Sequence, residues 1–204
     1  MIEVERLGGL RLLRLVREEK ANALTATMLE ALGAAVAEAV VDGVAVLALT
    51  GAGRVFSAGA DLGEMQAGLG VSPLWEQVSA AVAGFPGLTI AALNGTLAGG
   101  AMGMALACDI RVAVPGAEFF YPVMRLGYLP QPSDPARLAA LVGPARARMI
   151  LLAGVRIGVE EALAWGLVDR IVEREALMDE VRRLAADAMA AAPLHLAALK
   201  RMMR

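Results

Sequence analysis

Residues 77–108 carry no charged side chain. A stretch of that length must leave water, and only a bilayer or a protein core accepts it. Gly84, Pro86, Gly87, Asn94 and Gly95 interrupt it and no Lys/Arg cluster flanks it, so it reads as core and not as a membrane span. Divided at those residues, it becomes a helix end, a turn, a buried strand over 88–93, a second turn, and a small-residue helix over 101–107. The second turn runs from Asn94-Gly95 through Gly99-Gly100 into that helix. A Gly-rich turn that feeds a helix leaves backbone N–H groups open, with the positive end of the helix behind them. Such a turn suits an anion, or an oxygen that becomes one during a reaction. Residues 56–62, FSAGADL, follow another apolar strand (44–50) and have the same character.

The remaining elements fit around these two turns. Gly8-Gly9 between 2–4 and 10–16 reads as an antiparallel hairpin. Thr25 or Thr27 caps a helix to Val41, whose apolar face is Met28, Leu29, Leu32, Val36 and Val40. The continuous apolar strand at 44–50 implies burial on both faces, as in a parallel sheet. The glycine-rich segment after Asp61 reads as mobile. Ser72-Pro73 starts a helix to Ala83. Short strands at 109–114 and 118–121 surround Pro115-Gly116. A Gly/Pro-punctuated loop covers 124–132, and helices follow at 133–141, 144–153, 159–165, 174–191 and 193–203. Strand and helix alternate through short connections, so the class is α/β, with helices accumulating late.

Composition narrows the function. The chain is 58% hydrophobic but 4% aromatic, so the core is built from Ala, Leu and Val. A net charge of −2 with interspersed signs gives no nucleic-acid footprint. A single cysteine, Cys108, excludes an intrachain disulfide framework and fits a reducing cytoplasm. The N-terminus lacks the apolar segment of a signal peptide. No metal-ligand cluster is visible, and the glycine spacing is not that of a dinucleotide fingerprint.

The two special turns occur together with Lys20-Ala21-Asn22-Ala23-Leu24, Gly51-Ala52-Gly53-Arg54, Cys108-Asp109, Arg125-Leu126-Gly127 and Gly166-Leu167-Val168. In this combination and order the chain resembles the crotonase superfamily of enoyl-CoA hydratases and isomerases, from Ile2 to the end. The resemblance implies a spiral of ββα units, with a core over 1–155 that holds an acyl-CoA site and a C-terminal helical segment over 156–204, short for the family. It implies that an acyl-CoA thioester is the partner, that coenzyme A enters as part of the substrate with no other cofactor, and that the chain forms a homotrimer or hexamer. By position, the oxyanion donors are Ala60 N–H and Gly100 N–H. Lys20, Ala21, Ala23, Ala58, Asp61 and Leu62 fall on the surface that holds the CoA nucleotide, and Arg54 is a further phosphate partner by charge.

The resemblance also exposes a gap. Hydratases of the family use two glutamates, one three residues after the oxyanion glycine and one just before the equivalent of Met124. Gly103 and Val123 stand there, so syn addition of water by the usual route lacks its acid and base. Tyr121, Asp134 and Glu64 are the candidate replacements. Tyr121 falls on the same strand face as Val123, and Glu64 in the mobile segment that lines acyl pockets in relatives. The plainer readings are a core ring with a hydrogen-bonded tip for Tyr121 and a helix N-cap beside Pro135 for Asp134. His195, the only histidine, falls on the last amphipathic helix. Two functions stay open: an isomerase-like or atypical enolate enzyme, and a non-catalytic acyl-CoA-binding or assembly subunit.

Overall fold

The computed structural model describes residues 1–203. In chain order, β1 (Ile2–Leu7) and β2 (Leu10–Leu15) form the expected hairpin, and α1 (Ala26–Val41) starts at Thr25, whose side chain accepts from Met28 N–H. There follow β3 (Val46–Gly51), β4 (Val55–Ser57), α2 (Leu62–Gln66), α3 (Leu74–Gly84), β5 (Leu88–Leu93), β6 (Thr96–Ala98) and α4 (Met102–Leu106). Then come β7 (Ile110–Ala113), β8 (Glu118–Phe120), α5 (Val123–Leu126), α6 (Asp134–Val142) and α7 (Pro144–Leu151). The chain closes with β9 (Ile157–Gly158), α8 (Val159–Trp165), β10 (Arg170–Ile171), α9 (Leu177–Ala190) and α10 (Pro193–Met202).

Two sheets result. The larger has the order β1-β2-β3-β5-β7-β10 and the smaller β4-β6-β8-β9. The pairs β3/β4, β5/β6 and β7/β8 each contribute their first strand to the large sheet and their second to the small one, which is the repeating ββα unit anticipated above. All of β3 is buried, as its unbroken apolar run requires. Side chains alternate between the two faces of the large sheet. Leu13, Leu15, Leu47, Leu49, Ala91 and Leu93 join the main core with α1 and α3. Leu10, Leu12, Val46, Ala48, Ile90 and Ala92 face the other way, against Leu177, Val181 and Ala185 of α9. Residues 156–203 thus supply β9 to one sheet, β10 to the other and the helix that covers the large sheet.

Helix α4 is anchored at its carboxyl end by two buried cations. Arg111 is 3% exposed, and its guanidinium donates to Cys108 O (2.6 Å), Leu167 O (2.9 Å) and Asp169 Oδ2 (3.1 Å), so a cation closes the carbonyl end of the helix. Asp109 accepts from Thr89 N–H (2.8 Å), Thr89 Oγ1 (2.9 Å) and the buried Lys200 Nζ (2.7 Å), which fastens α10 to the end of α4.

Three expectations change. Residues 124–132 are not simply a loop: Val123 opens α5, which Gly127 ends in the left-handed region (φ 72°), and β8 stops at Phe120, so Tyr121 and Val123 do not share a strand face. The segment after Asp61 holds α2 and a single 3₁₀ turn at 69–71, because Asp61 accepts from Gly63 and Glu64 N–H and caps it. The central helix starts with a 3₁₀ turn at 99–101 and is only five residues long, so the open amides at its entrance matter more than its dipole.

Candidate active site

The small sheet positions the site. Strands β4, β6 and β8 are parallel neighbours, with Ser57 opposite Leu97 and Ala98 opposite Phe120. Their C-terminal ends therefore lie side by side, and the residues that follow each strand line one cleft: Ala58 and Ala60, Gly99 and Gly100, Tyr121 and Val123. Clefts at the carboxyl ends of parallel strands are where α/β folds hold ligands.

The two turns touch. Gly59 (φ 96°) and Gly99 (φ 56°) both adopt the left-handed region, and a Cβ on Gly59 would lie 2.9 Å from Ala98 O and 3.3 Å from Gly99 Cα. Only glycine allows this approach. Around Ala60 the polar groups of the chain are committed: Leu24 N–H donates to Gly59 O (2.7 Å), Asp61 N–H to Leu24 O (2.8 Å) and Gly59 N–H to Ser57 Oγ (3.1 Å). Among the described residues, no protein acceptor receives Ala60 N–H or Gly100 N–H. Backbone donors without a protein acceptor on touching turns are groups of the kind that can hold an anion. Trp75 backs Gly100: a Cβ there would lie 3.0 Å from the indole, which Leu69 O fixes by accepting from Nε1 at 2.8 Å.

On the third strand end, Tyr121 is 3% exposed and Asp134 is 1% exposed. The Tyr121 hydroxyl lies 2.9 Å from Asp134 Oδ2 and 2.8 Å from Gln131 Oε1. The expected N-cap role of Asp134 does not hold. Ser133 is the cap residue, its hydroxyl and N–H donate to Glu76, and Asp134 begins α6 with its carboxyl turned inward. Burial raises the Asp134 carboxyl to about 7; Glu76 adds to the rise, while Tyr121 and Arg137 oppose it. Burial and the Asp134 charge raise Tyr121 as well. A hydroxyl has one proton, so a protonated Asp134 donating to Tyr121 lets Tyr121 donate to Gln131.

This carboxyl makes stability pH-dependent. In the unfolded chain it loses its proton near 3.8, in the folded chain near 7. Between those values the folded state holds more protons, so the stability contribution falls as pH rises and levels off above about pH 7. Asp134→Asn removes the fall. The variant is expected to be more stable than the parent at about pH 8 and to differ little at about pH 4, as measured by urea unfolding at both values.

The other sequence candidates divide. Glu64 Oε2 accepts from Ala26 N–H at 2.7 Å and so caps α1 instead of facing the cleft. Leu62 lines the cleft with Ala58. Ala21 (φ 48°) and Asn22 (φ 53°) are consecutive left-handed residues, held by Asn22 Nδ2 donating to Ala52 O and Val55 O. With Arg54 they line a separate polar hollow. Lys20 is exposed, Ala23 is buried, and the Glu64 N–H together with Arg17 at 2.8 Å keeps the Asp61 carboxyl below the usual range. His195 is exposed. Burial pushes the Cys108 thiol up to about 12, so it stays protonated. Gln131, Trp75 and Arg17 carried no local sequence signal; each becomes visible only when distant segments meet.

The family model for enoyl-CoA hydratase/isomerase matches residues 5–204. The chain belongs to the enoyl-CoA hydratase/isomerase family. Carnitinyl-CoA dehydratase of Escherichia coli (strain K12) is 40% identical over 169 residues, which is 78% of this chain and 63% of that protein. The protein of the same name from Citrobacter koseri gives the same figures. The chain thus spans 63% of the length of these curated relatives. The crystal structure of an enoyl-CoA hydratase from Bacillus anthracis superposes with a TM-score of 0.91 at 30% identity, covering 99% of this chain and 81% of that one. An enoyl-CoA hydratase/carnithine racemase from Magnetospirillum magneticum gives 0.90 at 30%, covering 99% and 79%. Within this enoyl-CoA hydratase/isomerase fold, Gly103 lies buried in α4 and Val123 lines the cleft at the start of α5. Among the described residues no helix is long and apolar enough to cross a membrane, and no group of three metal-ligating side chains occurs.

Proposed function

We propose that this protein binds an acyl-CoA thioester, seats the thioester oxygen between Ala60 N–H and Gly100 N–H, and stabilises the enolate that forms when the α-carbon loses a proton. The observation that carries the reading is the pair of amides without an acceptor at the ends of adjacent parallel strands. Pre-aimed donors of this kind stabilise developing negative charge without reorganising. Leu62, Met65, Trp75, Val123, Leu126 and Leu129 line the cleft and suit an apolar acyl chain. Isomerase-like proton transfer is favoured over hydration, because no pair of carboxylates faces the cleft to activate water. Ala21, Ala23, Ala58, Asp61 and Leu62, with Lys20 and Arg54 as cations, form the CoA-binding side.

The second reading is an acyl-CoA-binding or assembly subunit without turnover; Gly103 and Val123 favour it. Exposed Met124, Leu129 and Leu152 (61%, 88% and 61%) support self-association as a trimer or hexamer in either case. The buried lone cysteine suits a cytoplasmic setting. To separate the readings, saturated and unsaturated acyl-CoAs are incubated with the protein in D2O and α-carbon deuterium is followed by mass spectrometry. Protein-dependent exchange or double-bond migration is expected. Tight binding with no exchange across the panel sinks the enolate reading and leaves the binding subunit.

A further inference from the structure

We infer that Tyr121 is the group that exchanges a proton with the bound acyl chain, and that Asp134 and Gln131 position and recharge it, in the space that Gly103 leaves empty. The inference rests on the enolate reading above and adds the proton-transfer group that reading lacks.

Gly103 carries the first half of the geometry. A Cβ at this position would lie 2.9 Å from Asp134 Oδ1, 2.9 Å from Gln131 Oε1 and 3.0 Å from Asp134 Oδ2. The side-chain space of the central helix is thus filled by a carboxyl from the start of α6, and glycine is what admits it. The second half is Tyr121. It lines the cleft together with Ala60 and Gly100, whereas Asp134 does not, so the carboxyl reaches the cleft only through the hydroxyl. Asp134 Oδ1 is a third, independent sign: among the described residues it is buried without a hydrogen-bond partner, with Arg137 Nη1 at 3.9 Å. A structural carboxyl is normally satisfied at both oxygens, and exceptions gather at functional sites.

The step balances without a co-reactant. The substrate α-C–H bond breaks and its electron pair moves to the thioester oxygen, held by the Ala60 and Gly100 amides. The proton passes to Tyr121 Oη while the proton of Tyr121 passes to Asp134 Oδ2. Reversal of the relay at another carbon of the same dienolate returns the proton, so the double bond moves and no water is added. One relay serves both half-reactions, so a second carboxylate in the cleft is unnecessary. The groups facing Asp134 are Tyr121, Gln131, Arg137 and, from α3, Glu76 through Ser133. Their balance keeps both protonation states of the carboxyl accessible near neutrality, as a relay that gives and takes a proton requires.

The test uses the whole chain, with α-deuterium exchange in D2O and acyl-CoA affinity measured on the same samples. Tyr121→Phe is expected to slow exchange by about 10²-fold or more with affinity changed only a few-fold. Asp134→Asn is expected to slow exchange and to remove the ionisation near neutrality from the pH profile, and Asp134→Glu to restore part of both. Loss of packing alone does not erase a single ionisation, so the profile separates a relay from a structural role. Where Tyr121→Phe loses acyl-CoA binding, the Asp134→Asn profile decides. Exchange that persists in Tyr121→Phe at the parent rate, or a neutral ionisation that survives Asp134→Asn, overturns the relay and leaves the oxyanion cradle standing. No exchange in the parent protein overturns the enolate reading and the relay with it.

Discussion

Gly100→Val is expected to reduce α-proton exchange by about 10²–10³-fold, the cost of one lost oxyanion donor being about 3–4 kcal/mol of barrier. The first added carbon already lies 3.0–3.1 Å from three atoms of the Trp75 ring. The ring cannot retreat cheaply, since it is 5% exposed and its Nε1–H is held by Leu69 O. The turn must therefore move, and with it the Gly100 N–H. Overpacking adds a stability loss of about 1–3 kcal/mol, so rates are compared at a temperature where both proteins are folded. Gly33→Ala is the control: a Cβ there meets nothing within 4 Å, it sits in the middle of α1, and the helix gains about 0.5–1 kcal/mol with exchange unchanged. A Gly100→Val protein that exchanges at the parent rate would show that the thioester oxygen does not use this amide.

The candidate site is legible in the sequence wherever the chemistry proposed for it is a property of the backbone. Gly59, Gly99 and Gly100 announce close approach through composition alone, and the buried strands before them announce a parallel sheet. From those two facts the meeting of the turns follows once β4 and β6 are neighbours. Side-chain chemistry was less legible, because it depends on contacts across the fold. Asp134 beside Pro135 carries every local mark of a helix cap, yet Ser133 and Glu76, from different helices, take over that end of α6 and free the carboxyl to turn inward. Glu64 is the converse case: it looked free in a glycine-rich segment, and the amide of Ala26 claims it. Gly103 read as a missing acid. The missing partner was 31 residues away, in a contact that no periodicity reports (134 − 103).

That contact predicts a strong non-additivity. Gly103→Glu restores the carboxylate that the resemblance expects on the central helix, and it is expected to destabilise the protein by about 3 kcal/mol or more. Two costs combine: the new Cβ is driven into the Asp134 carboxyl and the Gln131 amide oxygen, and a second acid is buried beside one already held near neutrality by desolvation. Asp134→Gly alone removes a poorly satisfied buried acid and leaves Tyr121 its bond to Gln131, but it also takes the nearest carboxylate from Arg137 and puts a glycine in the first turn of α6. Combined, the two substitutions exchange which helix supplies the carboxyl. The double variant is expected to be more stable than Gly103→Glu alone, with a coupling of about 2–3 kcal/mol, the upper part of the range for residues in contact. Urea unfolding of the four proteins at one pH gives the number. Additivity within about 0.5 kcal/mol would mean that the two positions do not share the space. A coupling of the expected size would identify Asp134 as the occupant of the central-helix position. The glycine at 103 would then be a consequence of that carboxyl and no sign of a site that has lost its chemistry.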